Sequence, residues 1–217
     1  MTLLGDYGEV ILGGAWVTIW IVAGGFALGL VLGILLGLCK LQRSLLLRWP
    51  ASCYVEIIRN TPFLIQAMVI FALFGVLRVR VAPELLGLAC VALYSAAYMA
   101  EIFRSAREAI PRSQGDAAAS LALGRFAAFR LVILPQLLPI MLPASVNLLA
   151  TVVKETAFLS ALSVAELTFT GQVVIAQTFR VFEVWAIIGL LYLVLNLSLF
   201  WAAARLERVF TWSKEQR

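Results

Sequence analysis

The side chains best placed to do chemistry are Lys154, Glu155 and Thr156, which set two opposite charges and a hydroxyl side by side. They directly follow a charge-free run from Leu131 to Val153. If that run crosses a bilayer, charges at or near membrane depth are costly and by default mark a solute or ion pathway. The alternative is that both charges satisfy neighbouring helices or reach the outer interface.

Three more polar side chains, Gln66, Tyr98 and Asn147, lie inside apolar runs. In membrane proteins such residues form hydrogen bonds between helices more often than they bind a ligand. We therefore regard them as weaker candidates for the same pathway.

Catalysis and metal binding are disfavoured by the composition. The chain has no histidine, which removes the commonest general base and the commonest zinc ligand. Cys39, Cys53 and Cys90 are odd in number and lack C-x-x-C spacing, as expected of small core residues. No convincing pair of nucleophile and base is present. The sequence predicts neither an enzyme nor a metal or cofactor site on this chain.

Membrane helices must position these residues. Of the 217 residues, 63% are hydrophobic and 13% charged, whereas soluble domains carry about 25% charged residues. A bilayer span takes about 20 apolar residues, and five charge-free runs are available, at 10–39, 60–77, 85–100, 131–153 and 184–204. The predicted fold is an all-α integral membrane protein with about five transmembrane helices, forming one domain over residues 1–217. Six spans are the alternative.

The basic residues lie in short clusters between the apolar runs, so the net charge of +5 indicates topology and not binding of nucleic acid. We predict that the connections after the first and third runs and the C-terminal tail are cytoplasmic. Their basic residues are Lys40, Arg43 and Arg48, then Arg104, Arg107, Arg112, Arg125 and Arg130, and finally Arg205, Arg208, Lys214 and Arg217. The N-terminus, with Asp6 and Glu9, is predicted to lie outside and the C-terminus inside, as an odd number of spans requires.

Two further patterns concern packing. Gly25, Gly29, Gly33 and Gly37 recur every four residues, which places them on one face of the first helix and allows another backbone to approach closely. The stretch 156–182 is only mildly apolar and is broken by charges and a glycine, so we expect short or re-entrant helices there.

The cytoplasmic connection at about 106–135 is too long for a turn. Its alanines and leucines between Asp116 and Gly124 favour a helix, Asp116 suits the first turn and Gly124 can end it. We predict a short helix at the membrane surface. The alternative is an amphipathic segment that rests on lipid headgroups.

From Asp116-Ala117-Ala118 to Leu134-Pro135, this loop resembles the cytoplasmic signature of permease subunits of ATP-binding-cassette importers. That signature reads Glu-Ala-Ala, three residues, Gly, nine residues, Ile, one residue, Leu-Pro. The two ends align without a gap. Three positions depart from it, with Asp116 for the glutamate, Ala122 for the glycine and Val132 for the isoleucine.

Three other segments resemble the polar amino-acid uptake branch of these permeases. The segment 59–66, Arg-Asn-Thr-Pro-Phe-Leu-Ile-Gln, is similar to its Arg-Gly-Thr-Pro-Leu-Leu-Val-Gln. Lys154-Glu155-Thr156-Ala157 is similar to its Lys-Asp-Thr-Ser, and Ala165-Glu166-Leu167-Thr168 to its Pro-Glu-Leu-Thr. The similarity follows the same order over most of the chain.

The resemblance implies a type I importer permease in a bacterial inner membrane, forming the pathway for a polar amino acid or a related small solute. Glu155 would meet the ammonium group of such a solute and Lys154 its carboxylate. The alternatives are the same architecture with another small charged cargo, such as a compatible solute, or a stand-alone secondary transporter or intramembrane enzyme.

The resemblance also implies partners. Two cytoplasmic ATPase subunits would bind ATP and Mg²⁺, since this chain has no G-x-x-x-x-G-K-[ST] loop. A second permease subunit, identical or homologous, would complete the pathway, and an extracytoplasmic binding protein would deliver the solute. The residues implied in coupling to the ATPases are Asp116, Ala117, Ala118, Ala122, Gly124, Leu134 and Pro135.

Overall fold

The computed structural model describes residues 3–215, with side chains described for residues 5–205. The predicted topological role of Arg217 lies outside the described residues, as do the side chains of Arg208 and Lys214. Within the described range the elements are helical: α1 (Leu3–Lys40), α2 (Leu45–Arg59), α3 (Phe63–Val76), α4 (Pro83–Ala109), α5 (Arg112–Ser120), α6 (Arg125–Ala128), a π-helix (Phe129–Ile133), α7 (Leu134–Glu155), a 3-10 helix (Thr156–Leu162), α8 (Leu167–Thr178) and α9 (Val181–Glu215).

Among the described residues, four helical stretches are long and apolar enough to cross a membrane, at Gly5–Lys40, Pro83–Ala109, Arg125–Leu162 and Val181–Arg205. A fifth candidate is the pair α2 and α3, whose axes differ by 112°. Four of the five predicted apolar runs each fall within one of the long stretches, and the run 60–77 covers the break before α3 and α3 itself. This confirms an all-α membrane fold with four or five candidate spans.

The break between α2 and α3 arises from Thr61 and Pro62. Proline lacks an amide hydrogen and disfavours helical geometry in the residue before it, so α2 cannot continue. The freed carbonyl groups find a side chain instead: Gln66 Nε2 donates to the carbonyl oxygens of Ile58 and Thr61 at 2.7 and 2.9 Å. The predicted second run is therefore bent at its start and held in that bend.

The glycine stripe of α1 packs directly on α4, which confirms the predicted close approach. A Cβ added at Gly29 would lie 2.5 Å from Ser95 Cβ and 2.9 Å from the Ala92 carbonyl oxygen. The contacts advance together along both helices, so α1 and α4 run parallel. The pairs are Gly25 with Val91, Gly29 with Ser95, Gly33 with Met99 and Gly37 with Phe103.

A parallel pair has a topological consequence. After α1 the chain must return to the side on which α1 began before α4 can start. The segment that makes this return is the bent pair α2–α3, because it is all that lies between them.

Helix α4 is the centre of the molecule. It contacts α1, α2, α3 and α7, and 61% of its most apolar part is buried, against 11% of the most apolar part of α9. Tyr98 and Glu101 lie on α4 and are thus held by several neighbours.

The stretch 156–182 contains short helices, as predicted. The 3-10 helix is followed by a turn in which Ser163 adopts φ 61°, and α8 then begins at Leu167. Helix α8 packs on α1 and α9.

Candidate functional site

The predicted charge pair lies at the end of α7. Lys154 and Glu155 are its last two residues, and Thr156 begins the 3-10 helix. Lys154 is exposed, Glu155 is partly buried, and Thr156 is fully buried with its hydroxyl donating to the Val153 carbonyl oxygen at 2.7 Å. Successive helical residues point about 100° apart, so the two charges diverge. Among the described side chains neither forms an ion pair.

The three weaker candidates lie on α7 itself or on helices that pack near that end of it, but their own side-chain contacts are elsewhere. Both α3 and α4, which carry Gln66 and Tyr98, contact the 3-10 helix. Tyr98 stacks at 4.7 Å from Tyr94, which meets Phe63 of α3 edge-on at 5.2 Å. Gln66 holds the α2–α3 bend, and Asn147 exposes its side chain on α7.

A charged cluster on α4 was not foreseen from the sequence. Glu101 accepts from Lys40 Nζ at 2.7 Å and from Arg104 Nη2 at 2.5 Å. Arg104 also pairs with Glu108 at 2.5 Å, and Arg59 Nη1 lies 4.0 Å from Glu101 Oε2. The signal was present, because Glu101 ends an otherwise charge-free run, where a carboxylate calls for a partner. The partners come from α1 and α2, which only the fold brings together.

A second buried carboxylate caps α8. Glu166 is fully buried, and its Oε1 accepts from the Phe169 amide at 2.8 Å. Its Oε2 accepts from the Thr168 amide at 2.9 Å and from the Tyr192 hydroxyl at 2.7 Å. Burial raises the pKa of this carboxyl above its ordinary value, although the hydrogen bonds oppose that shift. The residue anchors α8 to α9.

The loop helix differs from its prediction in register. It begins at Arg112, four residues before Asp116, and ends at Ser120. Asp116 is therefore in the middle of the helix and not in its first turn. Gly124 does not end it either, since its φ is −61° and it caps the start of α6. The residue that turns the chain is Ala122, with φ 54°.

Ala122 occupies the position where the resembling signature has glycine. A φ near +55° is the left-handed region, which glycine enters freely and other residues enter at a cost. The geometry that the glycine would supply is thus present here with alanine.

The surface of this loop is largely open. Asp116 and Ala117 are exposed, while Ala118 is buried. Just beyond the helix, Leu121 and Phe126 are 75% and 76% exposed. Leu134 and Pro135 form the first turn of α7 and connect the loop to that span.

No metal site is formed in the part of the chain that the structure describes, where no three acidic or cysteine side chains converge.

Known proteins of similar sequence are membrane components of transport systems. The family described as "Binding-protein-dependent transport system inner membrane component" matches residues 29–211. The glutamine transport system permease protein GlnP of Escherichia coli (strain K12) is 36% identical over 201 residues, covering 92% of each chain. The octopine transport system permease protein OccM of Rhizobium meliloti is 33% identical over 196 residues, covering 86% of this chain and 78% of the relative.

The fold has a solved counterpart. A crystal structure of an amino acid ABC transporter with histidines matches with a TM-score of 0.87 at 30% identity, covering 96% of this chain and 98% of that one. The identity, the coverage and the membrane helices agree with one another. The chain belongs to the family of inner membrane components of binding-protein-dependent transport systems.

Proposed function

We propose that this permease forms the pathway for a polar amino acid, with glutamine as the first cargo to test. The observation that carries this proposal is the 36% identity to a glutamine permease over 92% of both chains. The partly buried Glu155 supports it, since a carboxylate at the end of a span suits the ammonium group of an amino acid.

Uptake of labelled glutamine into vesicles that contain the assembled transporter tests this cargo. We expect ATP-dependent uptake that unlabelled glutamine suppresses and compatible solutes do not. Glu155→Gln should reduce uptake while the complex stays assembled. Glu84→Gln, in the first turn of α4, is the control and should leave uptake unchanged. If a compatible solute suppressed the uptake and unlabelled glutamine did not, the cargo would be a compatible solute and not an amino acid.

An opine is the second candidate cargo. The 33% identity to an octopine permease favours it. An opine keeps the carboxylate of the amino acid and carries a larger substituent, so the same carboxylate contact could bind it. Octopine included in the same competition distinguishes it from glutamine.

We further propose five spans, with the bent pair α2–α3 as the second. The parallel packing of α1 and α4 supports this number, and the distribution of basic residues supports an outer N-terminus and an inner C-terminus. In that orientation α5 lies on the cytoplasmic side.

Helix α5 and the turn after it are the proposed docking site for the ATPase subunits, which bind ATP and Mg²⁺. The exposed Leu121 and Phe126 give this turn an apolar surface next to the exposed Asp116. A rigid helix that is pushed at one end of a span can switch the pathway between two states.

Co-purification tests this coupling. We expect Asp116→Lys to reduce recovery of the ATPase subunits with the permease, because it reverses a charge at the contact. Glu9→Lys, which makes the same change at the predicted outer end, is the matched control. Equal recovery of the ATPase subunits with both variants would show that Asp116 does not lie in the contact with them.

The remaining partners are a second permease subunit and an extracytoplasmic binding protein. The exposed apolar side chains of α3, among them Met68, Val69 and Leu73, supply surface for the second subunit or for lipid. Residues 1–217 would then act as a single transmembrane domain.

A further inference from the structure

A cavity of about 330 Å³ opens between α2, α4 and α7. Arg59, Tyr98 and Glu101 form its polar side, and Ile102, Ile140 and Ala144 form its apolar side. Its volume is within the range of small-molecule pockets, roughly 300–1,000 Å³. The cavity also has the composition of such a pocket, with a few convergent polar groups on an otherwise apolar wall.

The charged network that reaches this cavity through Arg59 and Glu101 does not balance. Both oxygens of Glu101 are already occupied, Oε2 by Lys40 at 2.7 Å and Oε1 by Arg104 at 2.5 Å. Arg104 is in turn shared with Glu108. Arg59 reaches Glu101 only at 4.0 Å, beyond hydrogen-bonding distance. Three cations therefore face two carboxylates, and Arg59 carries the unmatched positive charge.

Arg59 is also held in place. Its guanidinium lies 5.6 Å above the centre of the Tyr98 ring, a cation–π contact that fixes the plane of the fork. Among the described residues the guanidinium donates no hydrogen bond to protein, so its donors remain available. An oriented arginine with open donors is suited to bidentate binding of a carboxylate.

This cavity is separate from the Lys154–Glu155 end of α7. Ala144 precedes Lys154 by ten residues, which is about 15 Å of helix. Glu101 lies in the C-terminal third of α4, where it contacts Lys40 at the end of α1 and approaches Arg59 at the end of α2. In the proposed orientation this is the cytoplasmic half of the molecule.

We propose that Arg59 binds the α-carboxylate of the transported amino acid in this inner cavity, as a second station on the way to the cytoplasm. The proposal rests on the proposed amino-acid cargo. Tyr98 positions the guanidinium of Arg59. Because Glu101 is already neutralised by Lys40 and Arg104, it does not compete with the solute for that guanidinium. The side chain of the amino acid would lie against Ile140 and Ala144.

The test is direct binding to the permease–ATPase complex in lipid nanodiscs, without nucleotide and without binding protein. Labelled glutamine is displaced with unlabelled glutamine or with glutaminamide, which lacks only the carboxylate charge. We expect the wild type to prefer glutamine by 10-fold or more, as loss of a charge-assisted bidentate contact implies. Arg59→Gln should abolish that preference, and Arg59→Lys should retain part of it.

Arg48→Gln is the matched control, because Arg48 is an exposed arginine on the same helix and outside the cavity. Its preference should equal that of the wild type. A purely structural role for Arg59 would change yield or thermal stability and leave the preference intact, which would overturn the proposal. Loss of the preference in Lys154→Gln but not in Arg59→Gln would also overturn it. Absence of amino-acid uptake by the wild-type transporter would overturn the proposed function as well, and so distinguishes the two failures.

Discussion

At the residue scale, the backbone of Ala122 adopts a strained conformation that a substitution by glycine would relieve. Its left-handed φ of 54° costs an alanine roughly 1–2 kcal/mol relative to the right-handed region. We expect Ala122→Gly to raise the thermal stability of the detergent-solubilised complex, with a gain of up to about 1 kcal/mol. Ala122→Val should lower it. The measurement is thermal unfolding by intrinsic fluorescence, and a glycine variant less stable than the wild type would contradict the assigned turn.

Glu166 gives a prediction on pH at the same scale. Its ordinary pKa is near 4.5, and burial raises the pKa in the folded protein. The folded state therefore holds the proton more tightly than the unfolded state. The stability that this supplies is complete below the ordinary pKa and is lost as the pH rises through the raised pKa.

Glu166→Gln cannot titrate, so it serves as the reference. We expect the melting temperature of the wild type to fall relative to that of Glu166→Gln as the pH is raised from about 4.5. Thermal scans of both proteins over a common pH series check this. A rise of the wild type relative to the variant would show that the three hydrogen bonds outweigh burial.

At the scale of elements, the contact between α1 and α4 depends on the absence of side chains. A Cβ at Gly33 would lie 2.5 Å from Met99 Cβ and 2.8 Å from the Ala96 carbonyl oxygen. Gly33→Ala should therefore separate the helices and destabilise the protein by about 1–3 kcal/mol. Gly13→Ala on the same helix has nothing within 4 Å and should be neutral or stabilising, since alanine favours helix. Size-exclusion thermostability compares the two, and equal losses would contradict the packing.

Helix α8 is short, and hydrogen bonds at its first turn fix it to α1 and α9. The Leu167 amide donates to Thr18 Oγ1 of α1 at 3.1 Å, while Glu166 joins the same turn to Tyr192 of α9. Glu166→Ala should cost about 1–3 kcal/mol, because it removes the cap and takes away one of the two hydrogen-bond partners of the Tyr192 hydroxyl, the other being Thr168 Oγ1 at 3.0 Å. Tyr192→Phe removes the two hydroxyl contacts, to Glu166 and Thr168, but leaves the cap in place and should cost less. The melting temperatures of the two variants decide whether the cap or the tyrosine contact dominates.

At the scale of the whole molecule, the orientation can be tested by cysteine accessibility. In a background without Cys39, Cys53 and Cys90, we expect Gly8→Cys to react with an impermeant maleimide in intact cells. Ser113→Cys on α5 should react only after the inner membrane is opened, because the basic segments remain on the cytoplasmic side. The reverse pattern would place α5 outside, where no ATPase could reach it.

The sequence by itself determined what each stretch of chain can be. Apolar runs long enough for a bilayer, the clusters of basic residues between them and the glycine period specify where helices form and one close-packed face, because these depend on local composition and spacing. The ends of the loop helix were not specified in this way, since α5 begins at Arg112 and ends at Ser120. The tertiary structure alone decided which distant groups meet. The parallel register of α1 on α4 brings Lys40 to Glu101, and the packing of α2 on α4 brings Arg59 to Tyr98. No local pattern encodes those pairings, since they depend on which helices pack together and on the depth at which they meet. The same is true of Ala122, whose left-handed φ is set by the return of the chain from α5 to α6 and not by its side chain.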